Sequence, residues 1–340
     1  MQPRSEGPPR GNRTRAAVVK STIGVLASPY LLLVLTILFW SGNFIVGRAM
    51  RTDIAPVALS FWRWAVALIV LLPFALPHVR AQWRAVLHSW RMLAMFGILG
   101  VANFSTFVYI GLHSTTATNA VFVNAISPVV IVALSWVLLD QAIKSRQAVG
   151  ITLSLIGVIA IIMRGDLRAL MALQFNLGDL WILAGVLSWA LYSVCLKWRP
   201  AGLHWLSFTI ATVAIGLLVL LPFYIWEVGQ GAHVSVNPAI VGSVLYLGIF
   251  PSVLSYIFWN RAVMQVGANK AGQFMYLMPV FGTILSMLFL DEKLHWFHLA
   301  GISLIFFGIY LSTKPAVSSD LTFASRRRHK GSERSPEGTQ

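Results

Sequence analysis

The sequence predicts an all-α polytopic membrane protein of ten transmembrane helices built from two inverted five-helix repeats, and three observations predict it. Of 340 residues, 57% are hydrophobic and 11% charged, against roughly 25% charged residues in soluble domains, so the chain cannot turn enough polar surface toward water. About ten apolar runs approach the ~20 residues that a helix needs to cross the hydrocarbon. Pro128 in AISPVV returns as Pro279 in YLMPVF 151 residues later, and Ala120, Leu139, Asp140, Gly150 and Gly157 return at the same distance as Ala271, Leu290, Asp291, Gly301 and Gly308. The runs exceed the ~9 to 11 residues of a transmembrane strand and lack strict alternation, which argues against a barrel.

The two units cover 26–165 and 175–314. They lie between polar, basic tails at 1–25 and 315–340 whose composition predicts disorder. The first span, 30–49, holds Trp40 and Asn43; its apolar part is too long for a signal peptide and no small-residue cleavage site follows. The second, 54–77, carries Arg63 in SFWRWAVAL and Pro73 in LLPF. The third, 92–112, contains Leu99-Gly100, Asn103 and Tyr109. The fourth, 115–139, contains Asn119 and Asn124 and has Pro128 near its centre. In the fifth, 146–163, Gly150 and Gly157 share one face, where small residues admit close helix approach. The sixth, 178–197, places Trp189 149 residues after Trp40, and adds Tyr192 and the single Cys195, a packing residue without a disulfide partner. The seventh, 204–226, repeats LLPF at Pro222, and the eighth, 237–261, contains Leu247-Gly248, aligned with Leu99-Gly100 148 residues earlier, together with Tyr256 and Asn260. The ninth, 268–290, holds Gln273, Tyr276 and Pro279, and the tenth, 296–313, carries Gly301 and Gly308.

A formal charge of +15 raises nucleic acid as a partner, but no soluble domain gathers the cations into a groove, so that partner is rejected. Their placement reads as topology. With ten spans and the N-terminus inside, Arg80, Arg84, Arg91, Lys144, Arg146, Lys197, Arg199, Arg261, Lys270 and both basic tails fall on the cytoplasmic side. Only Arg48, Arg51, Arg164, Arg168 and Lys293 fall outside, so the positive-inside rule puts both termini in the cytoplasm. The tail run RRRHK is suited to anionic lipid headgroups.

Five spans per unit is an odd number, so the second unit enters the membrane in the opposite sense. Two such bundles can exchange conformations and open a central site first to one side, then to the other. Proline lacks an amide hydrogen and presses on the carbonyl four residues back, so Pro128 is expected to loosen its helix at Asn124 and Pro279 at Met275. A carbonyl freed at mid-membrane must meet protein or water, which turns these helix-breaking prolines toward a cavity.

Intramembrane polar groups ask for a partner or a substrate. The cavity candidates are Trp40, Asn43, Arg63, Asn103, Tyr109, Asn124, Trp189, Tyr192, Asn260, Gln273 and Tyr276. Arg63 either snorkels to an interface or faces the cavity; with no acidic residue near any span centre, an anionic group on a solute is a candidate partner. Amides, aromatic rings and one cation suit a small zwitterionic or weakly anionic organic solute. Missing midplane carboxylates disfavour a metal ion. No GxxxxGK[ST], HExxH or GxSxG appears, and His113 and His204 stand isolated near span ends, so neither catalytic residues nor a cofactor are expected. A homodimer is compatible with the sequence.

Five segments, FWSGNFIVGR, FWRWAVALIVLLPF, TTATNAVFVNAISPVVIVALSWVLLD, NLGDLWILAGVLSWALYSVCLKW and GANKAGQFMYLMPVFGTILSMLFLDEKL, resemble EamA-type members of the drug/metabolite transporter superfamily, over about 30–313. The resemblance implies a ten-helix secondary carrier of amino acids, other metabolites or drugs, often moved outward, in a bacterial cytoplasmic membrane. It carries over Trp40, Ser41, Gly42, Asn43 and Phe44 as the WGxNF-like segment, Arg63 as the second-span arginine, and Pro128 and Pro279. The usual Gly-Glu after the fourth and ninth spans matches Glu292, whereas the first repeat reads Asp140-Gln141. Multidrug or toxic-compound efflux is the alternative expectation, followed by a membrane-embedded enzyme or a non-transporting receptor.

Overall fold

The computed structural model describes residues 28–166, 176–232, 236–290 and 293–313. The expectations for both tails, for Arg168 and for Asp291 and Glu292 lie outside the described residues. Every described element is helical: α1 (Pro29–Ala49), α2 (Pro56–Ala81), α3 (Trp90–Ser114), α4 (Ala117–Asn124), α5 (Ser127–Leu139), α6 (Ser145–Ile162), α7 (Leu177–Cys195), α8 (Trp205–Gly229), α9 (Pro238–Val266), α10 (Ala268–Gln273), α11 (Met278–Leu290) and α12 (Trp296–Thr313), with short helical turns at Trp83–His88 between α2 and α3 and at Leu196–Trp198 after α7.

Nine stretches among the described residues are long and apolar enough to cross a membrane, α4 and α5 counting together as Asn119–Leu139. The run expected as the ninth span is divided instead. It consists of α10, a 3-10 turn at Phe274–Leu277 and the 13-residue α11. Met275, whose carbonyl lies four residues before Pro279, sits in that turn. In the earlier unit α4 stops at Asn124, four residues before Pro128, and α5 restarts at Ser127. Pro73, Pro77 and Pro222, by contrast, stand inside helices that run on through them.

Helix starts are capped by groups that can reach the unpaired first-turn amides. Asn176 and Asp179 form a reciprocal capping box at α7, and Asn237 accepts from Ile240 N at 2.9 Å at α9. The start of α2 takes its cap from another helix: the Glu227 carboxylate, near the end of α8, accepts from Val57 N at 3.1 Å and Ala58 N at 2.7 Å. That contact marks one end of the bundle. The other end is marked by Gln82, which donates to Gly202 O and accepts from His204 N, both at 2.8 Å, and by Asn269, which donates to Gln141 at 3.0 Å.

Glycines fix the closest helix crossings. A Cβ on Gly150 would come within 2.5 Å of Gly308 O, and one on Gly157 within 2.6 Å of Gly301 O, so α6 and α12 touch backbone to backbone and run antiparallel. Since Gly301 and Gly308 stand 151 residues after Gly150 and Gly157, the two contacts are reciprocal under the offset. The same holds elsewhere. A Cβ on Gly97 would come within 2.8 Å of Thr212 O and one on Gly248 within 3.0 Å of Arg63 O, with Gly248 151 after Gly97 and Thr212 149 after Arg63. Gly97 and Gly248 each open a seven-residue π-helical stretch, in α3 and α9. Aligning Leu99-Gly100 with Leu247-Gly248 is therefore three residues out of register with these contacts.

Candidate functional site

Ten of the eleven cavity candidates fall into three groups; Asn103 stands apart, half-buried in the π-helical stretch of α3. The first surrounds Arg63, which is 3% exposed and so does not snorkel. Its Nε donates to Ser252 Oγ at 2.8 Å, and Nη1 donates to Asn43 Oδ1 at 2.8 Å and to the Tyr109 hydroxyl at 2.6 Å. Tyr109 in turn donates to Asn43 Oδ1 at 2.8 Å. The guanidinium also lies 5.3 Å from the Trp64 ring centre and 5.7 Å from that of Tyr109. An arginine at a helix centre costs about 2.5–3.5 kcal/mol on insertion scales, whereas hydrogen bonds to charged groups return about 1.5–3 kcal/mol each. Three such bonds offset the cost, so neutral oxygens within the fold suffice to hold the charge and a solute carboxylate is not required for it. Behind this group Ser60, Ser105, Thr106 and the Trp64 indole form a further buried hydrogen-bonded cluster.

The second group is aromatic. Trp40 and Trp189 meet edge to face at 4.9 Å, and Trp259 and Tyr256 pack on both. The Trp40 indole donates to Pro251 O at 3.1 Å, while Trp189 Nε1 has no hydrogen-bond partner among the described residues. Tyr192 stacks on Trp189 at 5.0 Å and donates to Asn260 Oδ1 at 2.9 Å.

The third group follows the two helix interruptions. Asn124, at the end of α4, donates to Met278 Sδ at 3.4 Å at the start of α11. Gln273 and Tyr276 are fully buried, and Gln273 Oε1 and the Tyr276 hydroxyl have no partner among the described residues. Buried polar atoms are paired in the great majority of cases, so such exceptions point to water, a ligand or a second conformation.

A half-open cavity of about 500 Å³ lies between the end of α7, the start of α8 and the later half of α9, within the usual range of about 300–1,000 Å³ for small-molecule sites. Arg199, Trp205, Phe208, Thr209, Asn260 and Arg261 line it. Of the sequence candidates only Asn260 does so directly, with Tyr192 behind it. Asn260 Nδ2 has no partner among the described residues. The cavity lies toward the Gln82–His204 end of the bundle, and the Arg63 cluster toward the Glu227 end.

Several groups were not evident in the sequence. Ser252 and Tyr246 lack any local signal; the Tyr246 hydroxyl donates to Phe39 O at 3.2 Å against Gly42. Arg199 and Arg261 read only as topology charges, yet share a cavity. The isolation expected of His204 is corrected. Its ring stacks on His78 at 4.0 Å and its Nδ1 accepts from Leu206 N at 3.3 Å to cap α8. The loop tie through Gln82 brings the two rings together from distant sequence positions. Burial, and then the neighbouring His78, push the His204 pKa below its ordinary value. Among the described residues no three His, Cys, Asp or Glu side chains converge into a metal-binding group.

The EamA-like transporter family model matches this chain twice, over residues 27–163 and 176–314. An uncharacterized transporter of Archaeoglobus fulgidus is 30% identical over 290 residues, covering 84% of this chain and 96% of its own. The uncharacterized transporter YyaM of Bacillus subtilis is 25% identical over 283 residues, covering 82% and 92%, and protein PecM of Dickeya dadantii is 24% identical over 288 residues, covering 84% and 90%. A solved crystal structure shares the fold with a TM-score of 0.66 at 20% identity, covering 88% of this chain and 98% of its own. With apolar helices throughout and two matches that together take in most of its length, the chain is a multi-pass membrane protein that belongs to the EamA-like transporter family.

Proposed function

We propose that this protein is a secondary carrier that moves small organic solutes, amino acids or related metabolites, out of the cell across a bacterial cytoplasmic membrane by alternating access. In this reading residues 26–165 and 175–314 are inverted repeats, and the arginine-rich end of the bundle, with both termini, faces the cytoplasm. The observation that carries it is the uneven placement of cavity and buried charge along the bundle. Asn260 lines a cavity of about 500 Å³ toward one end, while the Arg63 cluster toward the other end is buried among Asn43, Tyr109 and Ser252. In the carrier reading the cavity is the cytoplasmic vestibule and the Arg63 cluster the closed side. The reciprocal glycine contacts support it, because two packings related by a two-fold operation differ little in energy and can exchange.

The two interrupted helices supply the hinges. Backbone freed at Asn124 and in the Phe274–Leu277 turn lets the halves on either side reorient without breaking a full helical ladder. Reconstitution into liposomes with a panel of amino acids, purines and lipophilic cations tests the proposal. Saturable flux with mutual competition is the expected result; conversion of a solute without flux would replace the carrier with an enzyme.

A further inference from the structure

The Tyr192–Asn260 hydrogen bond, of which Asn260 lines the cavity, has a counterpart in the other half. The offset of 149 residues that joins Trp40 to Trp189 carries Asn43 to Tyr192, and the offset of 151 that joins Gly97 to Gly248 carries Tyr109 to Asn260. The residue types change places and the hydrogen bond stays. Tyr109 donates to Asn43 Oδ1 at 2.8 Å, and Tyr192 donates to Asn260 Oδ1 at 2.9 Å. Both pairs therefore present the same acceptors: a tyrosine oxygen with a lone pair to spare beside an amide oxygen with another.

The halves differ in what meets those acceptors. In the first, Arg63 Nη1 donates to both Asn43 Oδ1 and the Tyr109 hydroxyl, and the guanidinium lies against aromatic rings. In the second, the position 149 residues after Arg63 is Thr212, whose hydroxyl turns back to donate to Thr209 O at 2.8 Å. Here Asn260 lines the cavity, with aromatic Phe208 in the same wall, while Tyr192 is buried behind it and Asn260 Nδ2 is buried without a partner among the described residues.

We propose that Asn260, held in place by Tyr192 behind it, forms a binding subsite for a cationic N–H-donating group of the solute, and that Arg63 fills the equivalent subsite of the other half as a tethered ligand. The inference rests on the carrier reading and adds the chemistry of the cargo. Arg199 and Arg261 line the same cavity and repel a bare cation. A group accepted by Asn260 must therefore bring its own anionic oxygen, for which the arginines are donors. The class is a compact zwitterion. A carboxylate alone leaves the Asn260 acceptor unmet, and a guanidinium alone leaves the arginines unmet.

Calorimetric titration of the full-length protein in phosphatidylglycerol nanodiscs, whose lipids carry no amine to compete, tests this with L-alanine and L-arginine as zwitterions and with acetate and guanidinium as single charges. Expected are binding of at least one zwitterion, at least tenfold weaker binding of either single charge, and at least tenfold loss in Tyr192→Phe and in Asn260→Ala. Thr212→Arg, which supplies a second tethered guanidinium, is expected to abolish binding. Tyr192→Phe removes one oxygen and keeps the ring stack, so it stands as the test if Thr212→Arg does not fold. Equal affinity for acetate, or unchanged zwitterion affinity in both Tyr192→Phe and Asn260→Ala, would overturn the subsite. Saturable flux of a solute that both variants carry normally would also overturn it while leaving the carrier intact; absence of flux for every solute would remove the carrier itself.

Discussion

Arg63→Lys keeps the charge of Arg63 and removes its fork. The guanidinium reaches Ser252 through Nε at 2.8 Å and the Asn43–Tyr109 pair through Nη1 at 2.8 and 2.6 Å. An ammonium can keep the two neighbouring acceptors, which are themselves 2.8 Å apart, and gives up Ser252. Neutral bonds between membrane helices average about 0.6 kcal/mol and reach about 1.7 kcal/mol, while a charged donor raises the value to about 1.5–3 kcal/mol. Ser252 still donates to Leu247 O at 2.8 Å, so no buried donor is orphaned and the loss is that of one charge-assisted bond, about 1.5–3 kcal/mol. Arg63→Met loses three bonds but also the desolvated charge, worth several kcal/mol, and leaves Tyr109 donating to Asn43. It is therefore expected to cost no more than Arg63→Lys. Equilibrium unfolding in mixed micelles at fixed detergent composition measures both. A lysine variant within about 0.5 kcal/mol of wild type, the range of surface changes away from such features, would refute the idea that fork geometry holds the cluster closed.

Gly157→Leu would drive a Cβ to 2.6 Å from Gly301 O and 2.9 Å from Ile305 Cγ1, and thermal unfolding is expected to show a loss of at least the about 1–3 kcal/mol typical of overpacking; Gly229→Ala, with nothing within 4 Å, is the neutral control. Glu227→Ala removes the cap on Val57 and Ala58 and is expected to cost about 0.5–2 kcal/mol, with Glu227→Gln costing less because its amide oxygen still accepts. Histidine NMR is expected to place the His204 titration below its reference of 6.5 and to move it upward in His78→Phe. Because the fold favours neutral His204, this contribution to stability is present above pH 6.5 and is lost as pH falls through the depressed value.

The membrane class was legible because hydropathy and charge act over whole spans, and the two helix interruptions lie where Pro128 and Pro279 press on the carbonyls of Asn124 and Met275. The polar pairs were harder to read. Repeats show in sequence as identical residues, and Asn43/Tyr192 and Tyr109/Asn260 preserve a hydrogen bond while exchanging the types that make it, so no identity marks them. The mispairing of Leu99-Gly100 with Leu247-Gly248 has a related cause: a two-letter match is visible in sequence, whereas the approach of Gly97 to the Thr212 backbone and of Gly248 to that of Arg63 is not. Arg63 was visible as a charge in a span, but its partners come from three other helices, and only folding brings Ser252 alongside Asn43 and Tyr109. His78 and His204 meet for the same reason, through a loop tie that neither residue announces.

Thiol accessibility tests the central claim of alternating access most directly. In a Cys195→Ser background, single cysteines replace Ile257, which lines the cavity, and Thr106, which is buried behind the Arg63 cluster at 7% exposure. The account predicts that Ile257→Cys reacts with a membrane-impermeant reagent only from the arginine-rich side. It also predicts that transported solute lowers that reaction while Thr106→Cys becomes reactive from the opposite side. Labelling of both positions from one side, with or without solute, would contradict it.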